Sequence, residues 1–332
     1  MSHLALANDR RLLLIAGAMI AGGIALVTWA FTSAPQLPSV PYELQISAAP
    51  SDAPQDVLAF GIETEKLNHL ELRATGFKKP IATAFLTQDD DGRFFPLSWQ
   101  NSVMEPIFFS DLSAFETMKV LTAIKDHVPR DAVILSWWDL SRKIRKIAQR
   151  QAPLDDPLAR GLLAPSAWSS RASLVSEDQR NFWSAGVPVG DGAVFAKFAD
   201  ALLLDEDQGA QALAEIAGVK PVYVAVHLYD IWKTAATRPD QITLAYRDFP
   251  GTNESHGVFN SVHQWIQEQK IEGGYAVEPI GSAMRLHYLP RKSDSERLIA
   301  QLLPFSTSNP LRLRHLHLVY QHKGYWIYEL RL

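Results

Sequence analysis

Residues 132–139 read AVILSWWD, the pattern of a buried β-strand that leads directly into a helix. The run from Ala132 to Trp137 is almost entirely apolar, as in a strand that is covered on both faces. Helices cover both faces of the sheet in α/β proteins, and strand and helix patterns alternate along this chain from residue 111 onward. The sequence therefore predicts an α/β fold with a layered, mostly parallel sheet.

The C-terminal part of the chain predicts an antiparallel edge for this sheet. Residues 221–228 and 242–246 have the composition of two more buried strands. After them, residues 313–321 and 325–330 are strand-like runs separated by His322-Lys323-Gly324, which is typical of a hairpin. We therefore expect the chain to end in an antiparallel hairpin that extends the sheet.

Composition excludes several classes of protein. The 332 residues include no cysteine, so the chain cannot hold a thiolate zinc site, a Cys-ligated iron–sulfur cluster or a covalently attached c-type haem. The net charge of −4 provides no basic field for nucleic acid. None of the common phosphate-binding, nucleophile-elbow or zinc-protease motifs occurs. The sequence thus indicates no reaction and no cofactor, and it favours a non-catalytic role.

An uncharged segment near the N-terminus predicts a single transmembrane helix. Residues 12–31 carry no charge, and a run of about 20 apolar residues spans the hydrocarbon core of a bilayer. Arg10 and Arg11 precede this segment, and the next basic residue is Lys66. The positive-inside rule then places the N-terminus in the cytoplasm and the remainder on the other side. A cleaved signal peptide is the alternative, although the apolar run is longer than such peptides require.

These patterns divide the chain into five predicted regions. Proline-rich composition indicates an extended spacer after the membrane segment, and alternating apolar residues indicate strands beyond it. The regions are a cytoplasmic tail at 1–11, a transmembrane helix at 12–31, a Pro-rich linker at 32–57, a small strand-rich region at 58–110 and an extracytoplasmic α/β domain at 111–332.

The segment Trp137-Trp138-Asp139 is the first candidate binding site. It directly follows the predicted strand, and ligands of α/β sheets bind outside the carboxyl ends of the strands. Asp230 holds the same place after the strand at 221–228, so the two carboxylates are expected to face one cleft. The alternative is that Asp139 and Asp230 cap helices while the tryptophans pack in the core.

Two further groups of polar residues are candidates. Arg247, Asp248 and His256 belong to a polar stretch between a predicted strand and a helix, where backbone N–H groups can hold an anion; an ordinary capped loop is the alternative. His315 and His317 are two residues apart in a predicted strand and therefore share a face. Such a pair can contribute to a copper or zinc site, and solvated histidines are the alternative.

The Trp137-Trp138-Asp139 segment resembles the Trp-Trp-Asp signature in the soluble domain of oligosaccharyltransferase catalytic subunits. In that family the motif helps to recognise the acceptor sequon. This sequence departs from the motif at Leu140-Ser141, and a single membrane segment cannot supply the many-helix domain that binds the lipid-linked donor. The resemblance therefore implies a glycan- or peptide-binding module and no glycosyl transfer.

The chain as a whole resembles the HaoB family, membrane-anchored proteins associated with hydroxylamine oxidation. The resemblance is carried by the N-terminal apolar segment, the residues 136–139 (SWWD), 238–240 (RPD), 246–250 (YRDFP) and 319–330 (VYQHKGYWIYEL). It implies a protein of the bacterial inner membrane with its bulk in the periplasm, beside a multihaem c-type cytochrome hydroxylamine oxidoreductase. The implied role is accessory: docking or assembling that enzyme at the membrane.

Overall fold

The computed structural model describes residues 38–50, 53–104, 113–156, 166–188, 192–218, 221–251 and 256–332. Contacts divide the chain after Ser39, and every element described below belongs to the compact unit Val40–Leu332. The predicted cytoplasmic tail and the predicted transmembrane segment 12–31 lie outside the described residues. Among the helices that are described, none is both long enough and apolar enough to cross a bilayer.

The described residues form a mixture of strands and helices, so the structure is of the mixed α/β type. The strands are β1 Tyr42–Ala48, β2 Asn68–Ala74, β3 Ala82–Gln88, β4 Phe94–Asn101, β5 Val133–Ser136, β6 Val222–His227, β7 Ala245–Pro250, β8 Tyr275–Ile280, β9 Ala283–Tyr288, β10 Leu316–His322 and β11 Tyr325–Leu330. The α-helices are α1 Gln55–Leu58, α2 Ala114–His127, α3 Trp138–Lys143, α4 Ala172–Ser184, α5 Ala193–Ala201, α6 Glu206–Ala217, α7 Asp230–Thr237, α8 His256–Gln269, α9 Lys292–Ser295 and α10 Leu298–Gln301.

The first four strands form an antiparallel sheet in chain order, β1-β2-β3-β4. On β2, Leu70 and Leu72 are buried and alternate with partly exposed residues, which is the predicted pattern of a strand with one covered face. Strand β1 lies within the predicted spacer at 32–57 and pairs with β2 along its whole length. Proline content marked the residues around β1 as extended, whereas the strand itself contains no proline and is free to donate its N–H groups.

The central sheet has the order β10-β11-β6-β5, and it corrects the prediction of a mostly parallel sheet. Only β5 and β6 run parallel within it, while β11 is antiparallel to both β6 and β10. The physical reason is that an apolar run reports burial on both faces and carries no information on strand direction. The predicted C-terminal hairpin forms, with its turn at Lys323 and Gly324.

The central sheet is covered on both faces, as the apolar run predicted. Leu135 of β5 packs into a core with α5 and α6, through residues such as Phe198 and Leu213. Its neighbour Ile134 packs on the opposite face, in a core that includes Ile124 of α2. Alternate residues of one strand therefore enter different cores, and the carboxyl ends of β5 and β6 emerge between the covering layers.

A third sheet has the order β7-β9-β8 and is antiparallel throughout. One of its faces packs against α8 in a small core that includes Phe249, Val262 and Leu286. The strand predicted at 242–246 is displaced to β7 and belongs to this sheet, because its register with β9 runs from Ala245 to Pro250. Its opposite face carries polar side chains, and these define part of the site described next.

Candidate functional site

The candidate segment at the end of β5 lies inside the molecule. Trp137 is 1% exposed and Trp138 is 0% exposed. The Trp137 ring meets Phe195 edge to face at 5.0 Å, and the Trp138 ring lies 5.2 Å from that of Trp183. Both indoles are thus core anchors, and the exposed tryptophan face that a glycan-binding module requires is not present here.

The carboxylates of Asp139 and Asp230 do come together, as the sequence predicted from their places after two strands. Lys233 bridges them: its Nζ lies 3.1 Å from Oδ1 of Asp139 and 2.9 Å from Oδ1 of Asp230. Lys143 approaches the other oxygen of Asp139 at 3.5 Å. The backbone N–H of His227 donates to Oδ2 of Asp230 at 2.8 Å. Neither aspartate is an N-cap, because each lies inside the first turn of its helix.

Burial and charge set the protonation of this group, which we call the buried charge cluster (Asp139, Lys143, Asp230 and Lys233). Burial disfavours the charged form of Asp139, but the two lysines outweigh it and bring its pKa to about 2. Burial also lowers the pKa of Lys233, and the two carboxylates more than reverse this effect and raise it above its ordinary value. For Asp230 burial prevails, and its pKa is raised.

The buried charge cluster compensates its own charges, two carboxylates against two ammonium groups. Each ion lies within reach of an opposite charge, so the arrangement satisfies the requirement for burying ions. Its chemistry is structural: it ties α3 and α7 to the end of β6. Neither lysine was among the residues predicted for the site, although Asp139–Lys143 and Asp230–Lys233 have the i,i+4 and i,i+3 spacings of helix ion pairs.

The other candidates lie apart from this cluster. Asp248 binds the guanidinium of Arg285 through both carboxylate oxygens, each at 2.7 Å. The neighbouring Arg247 stacks over the ring of Trp265 at 4.9 Å, on the opposite side of the third sheet. His256 begins helix α8, and its side chain lies outside the described part of the structure.

The candidate histidines do not converge. His315 contacts Asp207 at 3.2 Å, while His317 is exposed. His322 pairs with Glu116, and His287 lies in the third sheet against Glu278. Across the described ranges, no three His, Cys, Asp or Glu side chains are grouped as metal ligands.

A cleft opens beside the end of β6, and it was not predicted from the sequence. Its volume is about 950 Å³. Its walls are strand β8, residues 227–229, the hairpin turn with the start of β11 (residues 323–326) and the first turn of α2, and residues 101–104 border it. This volume lies within the range of small-molecule binding sites.

Glu278 supplies a carboxylate to this cleft. Its Oε1 accepts hydrogen bonds from the hydroxyl of Tyr229 at 2.6 Å and from Nε2 of His287 at 2.9 Å. The indole N–H of Trp232 donates to Nδ1 of His287 at 3.0 Å, so Nδ1 is an acceptor and Nε2 is the nitrogen that faces Glu278. Burial raises the pKa of Glu278, but the hydrogen bonds from His287 and Tyr229 outweigh it and hold the pKa below its usual value.

Glu278 is therefore an ionised side chain whose hydrogen-bond partners are a tyrosine and a histidine. No lysine or arginine of the described chain lies within ion-pair distance of it. A single glutamate inside a short strand gives no sequence signal, because its importance depends on Tyr229 and His287, which are distant along the chain.

Comparison with known protein families places this sequence in one of them. The family model described as HaoA-associated protein HaoB matches residues 8–330. The chain belongs to the HaoB family. This match confirms the family resemblance inferred from the sequence and covers both the N-terminal apolar segment and the folded unit. A comparison with curated proteins finds none that matches.

Two of the solved structures similar to this HaoB-family chain are C-terminal domains of oligosaccharyltransferases. The C-terminal globular domain from Archaeoglobus fulgidus is 14% identical, with a TM-score of 0.31, and the match covers 64% of this chain and 95% of that domain. The C-terminal domain of C. jejuni pglb is 12% identical, with a TM-score of 0.35, and the match covers 64% of this chain and 99% of that domain. Both likenesses are distant, and both belong to the family that the Trp-Trp-Asp segment resembles.

Proposed function

We propose that this chain is an accessory protein of hydroxylamine oxidation that docks HaoA, the hydroxylamine oxidoreductase, at the periplasmic face of the inner membrane. The observation that carries the proposal is the family match over residues 8–330, because the family is described by its association with HaoA. A docking role also agrees with the geometry of the buried charge cluster. Its carboxylates and ammonium groups form ion pairs with one another inside the protein and serve the fold.

The tethering part of the proposal rests on residues 12–31. These residues are uncharged and follow Arg10 and Arg11, which favours a helix with its N-terminus in the cytoplasm. The match to the family begins at residue 8 and so includes this segment. A tether of this kind holds the folded unit near the membrane, where a soluble multihaem enzyme can be retained by binding to it.

The test is capture of HaoA by the full-length chain. A C-terminally tagged chain is expressed in its native host, extracted from membranes with mild detergent and recovered on affinity resin. We expect HaoA in the eluate, recognised by haem absorbance and by mass spectrometry, and none from cells that carry the untagged chain. Failure to recover HaoA, even after chemical cross-linking in intact cells, would contradict the proposal.

A further inference from the structure

Strand β8 is an edge strand whose free side faces the cleft. In the described chain β8 pairs only with β9. Residues from both faces of the strand line the cleft, including Val277 and Pro279 from one face and Ala276 and Glu278 from the other. The cleft therefore runs along the edge of the strand, where backbone groups point, rather than over one face of the sheet.

The direction of these backbone groups follows from the first residue of the strand. Tyr275 donates its N–H to Oγ of Ser306 at 3.1 Å, and its carbonyl accepts from the N–H of Ser306 at 2.8 Å. Both groups thus point away from β9. Because alternate residues of a strand direct their N–H and C=O groups to the same side, Val277 presents both groups to the cleft and Pro279 presents its carbonyl.

This row of groups resembles the template that edge strands offer to an added strand. Ser306 already hydrogen-bonds to the N–H and C=O of Tyr275, the first residue of this edge, as a residue of a partner strand would. Pro279 has no N–H, so strand addition stops there and cannot spread along the edge. The site accordingly fits one short extended segment.

The charge of the cleft defines the chemistry of that segment. Arg285 lines the cleft but is neutralised by both oxygens of Asp248. Glu278 has only Tyr229 and His287 as hydrogen-bond partners and no lysine or arginine within ion-pair distance among the described residues, so its carboxylate remains available to a cation. Half-buried carboxylates of this kind favour a lysine or arginine that arrives from a partner.

We infer that the cleft receives an extended segment of HaoA, which adds as a strand to the edge of β8 and places a basic side chain against Glu278. This inference deepens the docking function proposed above and rests on it. Val277 supplies two backbone hydrogen bonds, Pro279 supplies an acceptor, and Glu278 supplies the charge that selects a basic residue.

The test uses the full-length chain in detergent and purified HaoA. Glu278→Gln keeps the size of the side chain and removes its charge, so we expect the Kd for HaoA to rise about 10-fold or more. The matched control is Glu43→Gln on the exposed edge strand β1, where Glu43 contacts only Gln45 among the described side chains and we expect a change of less than about 2-fold.

A second measurement is independent of any substitution. The Val277 amide has no partner in the sheet, so we expect it to exchange hydrogen rapidly in the free chain and slowly in the complex with HaoA. The inference is overturned if wild-type chain and Glu278→Gln bind HaoA equally, or if the Val277 amide exchanges equally fast with and without HaoA bound. In both cases the docking function survives, whereas absence of any complex with the wild-type chain would overturn both.

Discussion

Lys233 is the residue on which the buried charge cluster depends. Its ammonium is the shared partner of Asp139 and Asp230, at 3.1 and 2.9 Å. We expect Lys233→Met to lower the free energy of unfolding by about 3–5 kcal/mol, because it leaves two buried carboxylates with Lys143 as their remaining cation. Urea denaturation measures this change.

The control is Lys66→Met, which removes an exposed ion pair with Glu63 and should leave the unfolding curve unchanged. A second variant tests the cause: Lys233→Met combined with Asp230→Asn removes one of the stranded charges and should recover part of the lost stability. Equal urea midpoints of unfolding for wild type and Lys233→Met would show that the bridge through Lys233 does not contribute to the stability of the fold.

His227 makes the stability of the fold depend on pH in the mildly acidic range. Burial, followed by the charge of Lys233, lowers the pKa of His227 from 6.5 to about 4. Below pH 6.5 the unfolded chain takes up a proton that the folded chain excludes, so the stability from this residue is lost as the pH falls from 6.5 to about 4. We expect the free energy of unfolding to depend less on pH in His227→Gln over this range.

The comparison for His227 is His317→Gln, since His317 is exposed on β10. This variant should keep the pH dependence of the wild type. Parallel curves for wild type and His227→Gln between pH 6.5 and 4 would show that His227 is not kept neutral by the fold.

At the level of elements, the hairpin turn between β10 and β11 packs closely against His227 at the end of β6. Gly324 has φ of +86°, and a Cβ there would lie 2.7 Å from Nε2 of His227. Gly281, in the turn between β8 and β9, also has positive φ but has open space around it. We expect Gly324→Ala to reduce stability by about 1–2 kcal/mol more than Gly281→Ala, because only the former adds a clash.

Thermal or urea unfolding of the two alanine variants measures that difference. If the two substitutions lower the free energy of unfolding equally, the positive φ alone explains the requirement for glycine. The double variant Gly324→Ala with His227→Ala, compared with its His227→Ala parent, separates the clash from the backbone strain, since removal of the imidazole should abolish the excess loss of stability.

The elements themselves show what local sequence can and cannot predict. The strand at 132–137 and the strand at 221–228 were found because continuous burial leaves an apolar run, and the hairpin was found because its turn residues are distinctive. Strand direction and sheet membership depend on contacts far along the chain. The run at 242–246 therefore did not reveal that β7 pairs with β9 in a separate sheet.

The same limit applies to the candidate site. The placement of Asp139 and Asp230 after two strands predicted their proximity, because the strand pair β5–β6 is parallel and its carboxyl ends coincide. The cleft was beyond prediction, since it is assembled from β8, the end of β6 and the hairpin turn, which are distant in sequence. Exposure of the tryptophans could not be read from composition either, because core and interface use the same aromatic residues.

At the scale of the whole molecule, the proposed function joins an N-terminal tether to a folded unit that carries a recognition cleft. The family match extends over both parts of the chain, and the folded unit alone contains the cleft and the edge of β8. Retention of HaoA at the membrane then requires both parts, and each can be removed without the other. Variants of Glu278 test the cleft, so the tether needs a change of its own.

That change is Ile20→Asp with Ile24→Asp, which places two charges near the centre of the segment 12–31. Each charge opposes insertion by about 2.5–3.5 kcal/mol, so we expect the chain to leave the membrane fraction after alkaline carbonate extraction. The control is Phe259→Asp, at a residue of α8 that is 44% exposed, and this variant should stay with the membranes. Retention of the double-aspartate variant in the membrane pellet would mean that another part of the chain binds the bilayer, and HaoA would then be held there without the proposed tether.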